Sequence, residues 1–327
     1  MSARARTYAT VAIAAVAAAG LVVGTVAFTR TSTGGGGSAH AQTTASARGR
    51  APTLVLDLGV RTDPEALALR RANRLYAEGR RAAAAKIFTR YDSVEARVGA
   101  ALATWPAGSL AKLRRLAREH PASALVLLHL GLAELSSGRA DAARRAWRQA
   151  LAREPDTQSA LEAESLANPS LAPGRPPFVP SFPTPARVAR LAAPAQFRLL
   201  RHDADGGGVR ARLLYGVALQ RLGRSASAER EFAAAARLAP TNAEAQVAAA
   251  VGRFTKHDPA AAFSRLGPLA HRFPRSQSVR FHLGELLLWI RQVPKAREEL
   301  RLAVRLGPNT ALGRTANQFL VQLKNVA

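Results

Sequence analysis

The sequence predicts an all-α solenoid of repeated helical units, and three observations carry that expectation. Pro240, Pro274 and Pro308 stand 34 residues apart, and Ala228, Ala262 and Ala296 keep the same interval. The pattern Ala-x3-(Phe/Leu) with Pro eight residues later recurs as Ala228/Phe232/Pro240, Ala262/Leu266/Pro274 and Ala296/Leu300/Pro308, and upstream as Ala143/Trp147/Pro155. Twelve residues ahead of three of those alanines stand Leu130-Gly131, Tyr215-Gly216 and Leu283-Gly284.

These residues resemble the tetratricopeptide-repeat (TPR) family, whose repeat is a pair of antiparallel helices. The resemblance implies that Gly131, Gly216 and Gly284 on the first helix and Ala143, Ala228 and Ala296 on the second are small where the two helices cross closely. Trp147, Phe232, Leu266 and Leu300 then fill the space between neighbouring units. The terminal Pro stops the second helix by forcing the residue before it out of the α conformation. Gly138 and Gly223 fall where the turn between helices needs a permissive backbone.

Taken in chain order, the first element is an N-terminal membrane segment, 1–30. Tyr8 to Phe28 is uncharged and largely apolar, and as a helix it spans about 31 Å, the thickness of a hydrocarbon core. Arg4 and Arg6 precede it and Arg30 follows, so the positive-inside rule puts the N-terminus in the cytoplasm and the repeats outside, in a single-pass protein. The rival reading is a signal peptide cleaved at Ala39-His40-Ala41, with secretion of the remainder. Gly20 and Gly24 form a GxxxG motif through which two anchors could dimerise. Residues 31–52, with Gly34 to Gly37, read as a flexible Gly/Ser/Thr-rich spacer.

A first array covers 53–167. Its unit 124–157 matches well, 65–92 keeps Gly79, Ala84 and Phe88 without a terminal Pro, and 93–121 has Trp105-Pro106 in place of the usual turn. Residues 156–167 are expected to cap it. A second array, 186–327, holds units 209–242, 243–276 and 277–310 and ends in a capping helix over 311–325. Leu127, Arg212, Gln246 and Arg280 stand where the family has an aromatic residue, which implies looser packing there. Gly267-Pro268 is expected to kink or shorten the second helix of 243–276.

Between the arrays, 168–185 carries Pro169, Pro173, Pro176, Pro177, Pro180, Pro183 and Pro185, which forbid a helix and favour polyproline II. A plain linker is polar, whereas this one bears Leu171, Phe178, Val179 and Phe182. The segment 169–185 is therefore expected to dock on one of the arrays.

In this family the first helix of each unit lines the concave face. The resemblance gives a candidate peptide groove of Leu125, Leu128, Leu132 and Leu135 in the first array. In the second it gives Leu213, Val217, Val247, Val251, Phe254, Phe281, Leu288 and Trp289, bordered by Arg210 and Arg221. Members that grip the C-terminal carboxylate of chaperones use a Lys/Asn/Arg clamp; here Leu213, Val217, Ala248, Ser278 and His282 occupy those places, which disfavours that role. The implied partner is an unidentified protein or extended apolar peptide.

Composition narrows the alternatives. The net charge is +25, from 47 Lys and Arg against 22 Asp and Glu, so an anionic envelope polymer or lipid headgroup is the competing partner. No zinc-finger, helix-turn-helix or RNP-type motif points to nucleic acid. Cysteine is absent, which removes disulfides, thiolate metal sites and thiol nucleophiles. His120, His129, His202, His257, His271 and His282 show no i, i+4 pairing, so no metal site is expected, and Asp203-Ala204-Asp205-Gly206 reads as a turn. With no phosphate loop, HExxH, nucleophile elbow or dinucleotide fingerprint, the expectation is a non-enzymatic scaffold without cofactors.

Overall fold

The computed structural model describes residues 51–324, which form sixteen helices and no strand. They fall into two compact units, 51–168 and 169–324. The anchor 8–28, its GxxxG motif and nearly all of the spacer lie outside the described residues. Among the described residues no helix is long and apolar enough to cross a membrane.

The first unit contains three helical hairpins and a closing helix. The hairpins are α1 (Pro64–Ala77) with α2 (Arg81–Phe88), α3 (Val94–Ala103) with α4 (Ser109–Glu119), and α5 (Ala124–Ser136) with α6 (Ala140–Arg153). Helix α7 (Gln158–Ala167) packs on α6 and supplies Ala160 and Ala163 to its core, the capping role expected of 156–167. The expected spacer ends earlier than Pro52: Pro52 is buried and its carbonyl accepts a 2.5 Å bond from the Tyr76 hydroxyl, so 51–58 belongs to the folded unit as an extended strap.

The second unit opens with a short α8 (Ala186–Ala189) and α9 (Ala193–Asp205). Three hairpins follow: α10 (Val209–Arg221) with α11 (Ser225–Leu238), α12 (Ala243–Gly252) with α13 (Ala260–Arg272), and α14 (Gln277–Trp289) with α15 (Val293–Leu306). Helix α16 (Ala311–Leu323) closes it. Helix α9 carries no repeat signature, but Pro194 in its first turn and Leu200 and Ala204 on its buried face make it a good helix that packs on α10. Residues 203–205 are its last turn and not a loop, and the Asp203 carboxylate is taken by Arg187 at 2.6 Å; the turn lies at 206–208.

Local chemistry sets the helix ends. Asp63, Ser93, Ser123, Thr157, Asn242, Ser276 and Thr310 each accept the N–H of the third residue on, capping α1, α3, α5, α7, α12, α14 and α16. Such a cap stabilises a helix by about 1 kcal/mol. The residues before the four terminal prolines, Glu154, Ala239, Phe273 and Gly307, have all left the α conformation, with ψ between 64° and 78°. Pro155/Thr157, Pro240/Asn242, Pro274/Ser276 and Pro308/Thr310 therefore stop one helix and start the next within three residues. Pro155, Pro240, Pro274 and Pro308 are exposed, as suits residues that stop a helix and do not pack like the Ala and aromatic positions of the same motif. They act through the backbone alone, and Pro155 stops α6 ahead of the closing helix α7 where the other repeats pass to a new hairpin or to α16. Inside the hairpins, Gly138 (φ 79°) and Gly223 (φ 73°) take the left-handed conformation expected of them, and Arg291 (φ 66°) occupies the same register in the last hairpin.

The place expected for the large residues, between neighbouring units, is corrected. A Cβ on Gly131 or Gly216 would overlap the ring of Trp147 or Phe232, and one on Gly284 would lie 2.8 Å from Leu300 Cγ. The large residue thus seats on the glycine of its own hairpin, because a ring needs more depth than two facing small residues require. It also reaches its neighbour, as Phe232 does towards Gly252 and Phe88 towards Gly99.

At three of the four places where the family's aromatic residue is missing, polar links take over, while Leu127 stays in an apolar core. Arg212 pairs with Glu231 at 2.8 Å and Arg280 with Glu299 at 3.1 Å, each within one hairpin. Gln246 and Arg280 also donate to the Ala236 and Ala270 carbonyls of the preceding hairpin. Pro268 does not interrupt α13, which runs unbroken through it. Pro268 and Ser264, one turn before it, are both exposed, so water can satisfy the carbonyl that loses its N–H partner.

Candidate functional site

The residues expected to line the second array's groove are buried, in clusters that include the chain's own proline-rich segment. Leu213, Val217, Val247, Val251, Phe254 and Trp289 form one buried cluster with Phe178 and Ala172, while Phe281 and Leu288 join another with Val179. Phe178 is 1% exposed and Val179 3%. The Phe178 ring meets Phe232 edge-on at 5.3 Å and stacks on the His282 imidazole at 5.2 Å.

The segment's backbone is read as closely as its side chains. The Phe178 N–H donates to Gln220 Oε1 at 3.0 Å, and Gln220 Nε2 returns a 3.4 Å bond to the Phe178 carbonyl. The Val179 N–H donates to His282 Nε2 at 2.9 Å. The ring's Nδ1 lies 2.7 Å from the Ser278 carbonyl, which can only accept, so Nδ1 carries the proton and Nε2 offers its lone pair. Burial pushes the His282 pKa down to about 4, keeping the ring neutral and able to accept.

Both ends of the segment are tied down. Ser181 donates from its N–H and, at 2.7 Å, from its hydroxyl to the Glu244 carboxylate. Arg210 lies 4.4 Å above the Phe182 ring and donates to the Pro183 carbonyl at 3.1 Å. Arg291 donates to the Ser170 carbonyl. Arg210 thus holds the segment, and Arg221 is exposed at the C-terminal end of α10.

The first unit repeats the device. The Val55 N–H donates to His129 Nε2 at 3.1 Å, and His129 Nδ1 donates to the Leu125 carbonyl at 2.7 Å. Burial likewise lowers the His129 pKa to about 4. Leu54 and Leu58 of this strap share a core with Leu125, whereas Val55 packs on the cluster of Leu128 and Leu132, with Leu135 at its edge. Asp57 accepts the Gln158 N–H at 3.2 Å and so fastens the strap to α7. Leu125, Leu128 and Leu132 are thus core residues, and Leu135 is half-buried at the edge.

Two acids are buried within the hairpins. Glu134 is held by Arg114, at 3.0 Å, and by Arg139. Glu285 is fully buried with neither carboxylate oxygen bonded, and burial raises its pKa well above the ordinary value. Among the described residues no group of His, Asp and Glu side chains is arranged to hold a metal ion.

His129, His282, Gln220 and Glu244 were not among the candidate groove residues. The available signal was the tripeptide His-Leu-Gly, present at 129–131 and 282–284 in the same repeat register.

The helix pairs, their turn glycines and their 34-residue spacing define a TPR-like helical-hairpin solenoid. No protein-family model matches the chain, and no curated protein matches it. Among solved structures it is similar to YrrB, described as a TPR protein with an unusual peptide-binding site, at 14% identity and a TM-score of 0.32 over 63% of this chain and 97% of that one. It is similar to a tetratricopeptide repeat protein from Parabacteroides merdae at 13% identity and a TM-score of 0.35, covering 80% and 99%. It is also similar to yeast Tom70 at 13% identity and a TM-score of 0.36, covering 83% of this chain and 51% of that one. The fold is read from the hairpins themselves and not from these likenesses.

Proposed function

We propose that this protein is a non-enzymatic interaction scaffold at the cell envelope, held there by residues 8–28, whose second array binds an extended segment of a partner protein. One observation carries the reading: the apolar row from Leu213 to Trp289 already holds an extended backbone, with side-chain acceptors placed for its N–H groups. The competing reading, a binder of anionic polymer or lipid, draws on the net charge of +25.

Salt separates the two. Affinity purification with crosslinking from the native host is expected to recover a protein partner nearly as well at about 500 mM as at about 50 mM salt, because an apolar groove is weakly screened. Capture that collapses steeply over that range would favour the charge-driven reading.

A further inference from the structure

From the stretch Pro176-Pro177-Phe178-Val179-Pro180 and its partners, we infer that the second array is a reader of proline-flanked apolar dipeptides and that 169–185 is its resident, displaceable occupant. The inference rests on the scaffold reading and names the ligand's chemistry. Proline has no N–H, so within 176–180 only Phe178 and Val179 carry one. Gln220 accepts the first and His282 the second. The site therefore satisfies every backbone donor that such a ligand has, and its neighbours Pro176 and Pro180 are buried without leaving one unpaired. Phe178 adds a ring that is held between Phe232 and His282.

The first unit shows which parts of this recognition are general. There the apolar pair is Leu54-Val55, read by His129, with Leu56 where the second segment has Pro180. Two segments with different sequences are thus held through a histidine and a free N–H on the second residue of an apolar pair. Gln220, which bonds both the N–H and the carbonyl of one residue, is what suits the second array to a strand whose other positions are proline. A polyproline II segment is extended before it binds, so it loses little entropy on docking. A partner carrying the same dipeptide between prolines has to compete with the tethered copy, whose effective concentration is of millimolar order.

The test uses the full chain and a dye-labelled synthetic peptide spanning 172–184. In a release variant, Phe178→Ser with Val179→Pro, the peptide is expected to bind at least about tenfold more tightly than it binds the wild type, which carries its own occupant. Adding His282→Leu to the release variant is expected to weaken binding about tenfold, and a peptide with Val179→Pro should not bind. Equal binding with and without His282, or no binding to a release variant that melts like the wild type, overturns the inference. Should that variant not fold, amide exchange of the wild type decides instead. Val179 exchanging by a local opening while α10 and α14 stay protected supports displacement, and exchange of Val179 only with global unfolding makes the segment a fixed part of the core and overturns it. Peptide-competable dimerisation of the wild type would place a second copy's segment in the groove and likewise overturn the assignment. If the peptide fails while a crosslinked partner is still captured, this inference falls and the scaffold reading stands.

Discussion

His129 and His282 each accept a strap N–H only while neutral, and that requirement links stability to pH. Their folded pKa values, about 4, lie below the ordinary 6.5, so the unfolded chain binds more protons between those limits. The stability they contribute is complete above about pH 6.5 and is lost as pH falls through about 4, on the order of 3 kcal/mol for each ring. His282→Gln keeps an acceptor that does not titrate; its melting temperature is expected to fall less than the wild type's between pH 6.5 and 4.5, and an unchanged pH dependence would remove His282 from this role. Glu285 runs the other way. Its folded pKa is raised, so its neutral form is favourable at low pH and the contribution is lost as pH rises from about 4.5 through the raised value. Glu285→Gln is expected to stabilise the chain by about 1 kcal/mol or more, increasingly so as pH rises, in melts compared at pH 5 and pH 8. Glu285 did not stand out in the sequence, because burial and an unpaired carboxylate are properties of packing and not of spacing.

The hairpins were legible because their determinants are local. Pro155, Pro240, Pro274 and Pro308, the turn glycines and the small-large pairs each act within a few residues of where they stand. Docking of 169–185 was also foreseeable, since Phe178 and Val179 are costly to leave in water and prolines exclude a helix. Less legible was what depends on contacts between distant residues. Residues 51 and 52 resemble the end of a spacer until the Tyr76 hydroxyl meets the Pro52 carbonyl, and the Arg212–Glu231 and Arg280–Glu299 pairs replace aromatic packing that the family pattern leads one to miss. Gly216→Ala tests the corrected packing. Alanine gains about 1 kcal/mol of helix propensity over glycine. Its Cβ overlaps the Phe232 ring, which is fully buried against Phe178 and has no room to retreat. Overpacking of this kind costs about 1–3 kcal/mol, so the clash outweighs the propensity. The variant is expected to melt lower and to be cut faster by protease within 174–184. A higher melting temperature would mean that Phe232 can turn aside.

At the scale of the whole molecule, the repeats explain how the protein holds an extended chain but not where it does so, because the architecture serves many unrelated partners. The proposed location rests on residues 8–28, and there the argument is electrostatic. Arg4 and Arg6 stand before the apolar run and Arg30 alone stands close behind it. The cytoplasmic side retains the more basic flank, since moving Arg across the bilayer is costly. If the run is a retained anchor, both arrays face away from the cytoplasm while the protein stays with the membrane fraction. Protease added to intact spheroplasts is then expected to reduce the repeats to fragments, with cytoplasmic markers untouched. Full protection of the repeats until detergent is added would reverse the topology. A soluble form beginning near Gln42 would show cleavage after Ala41, and with it a scaffold that acts free of the membrane.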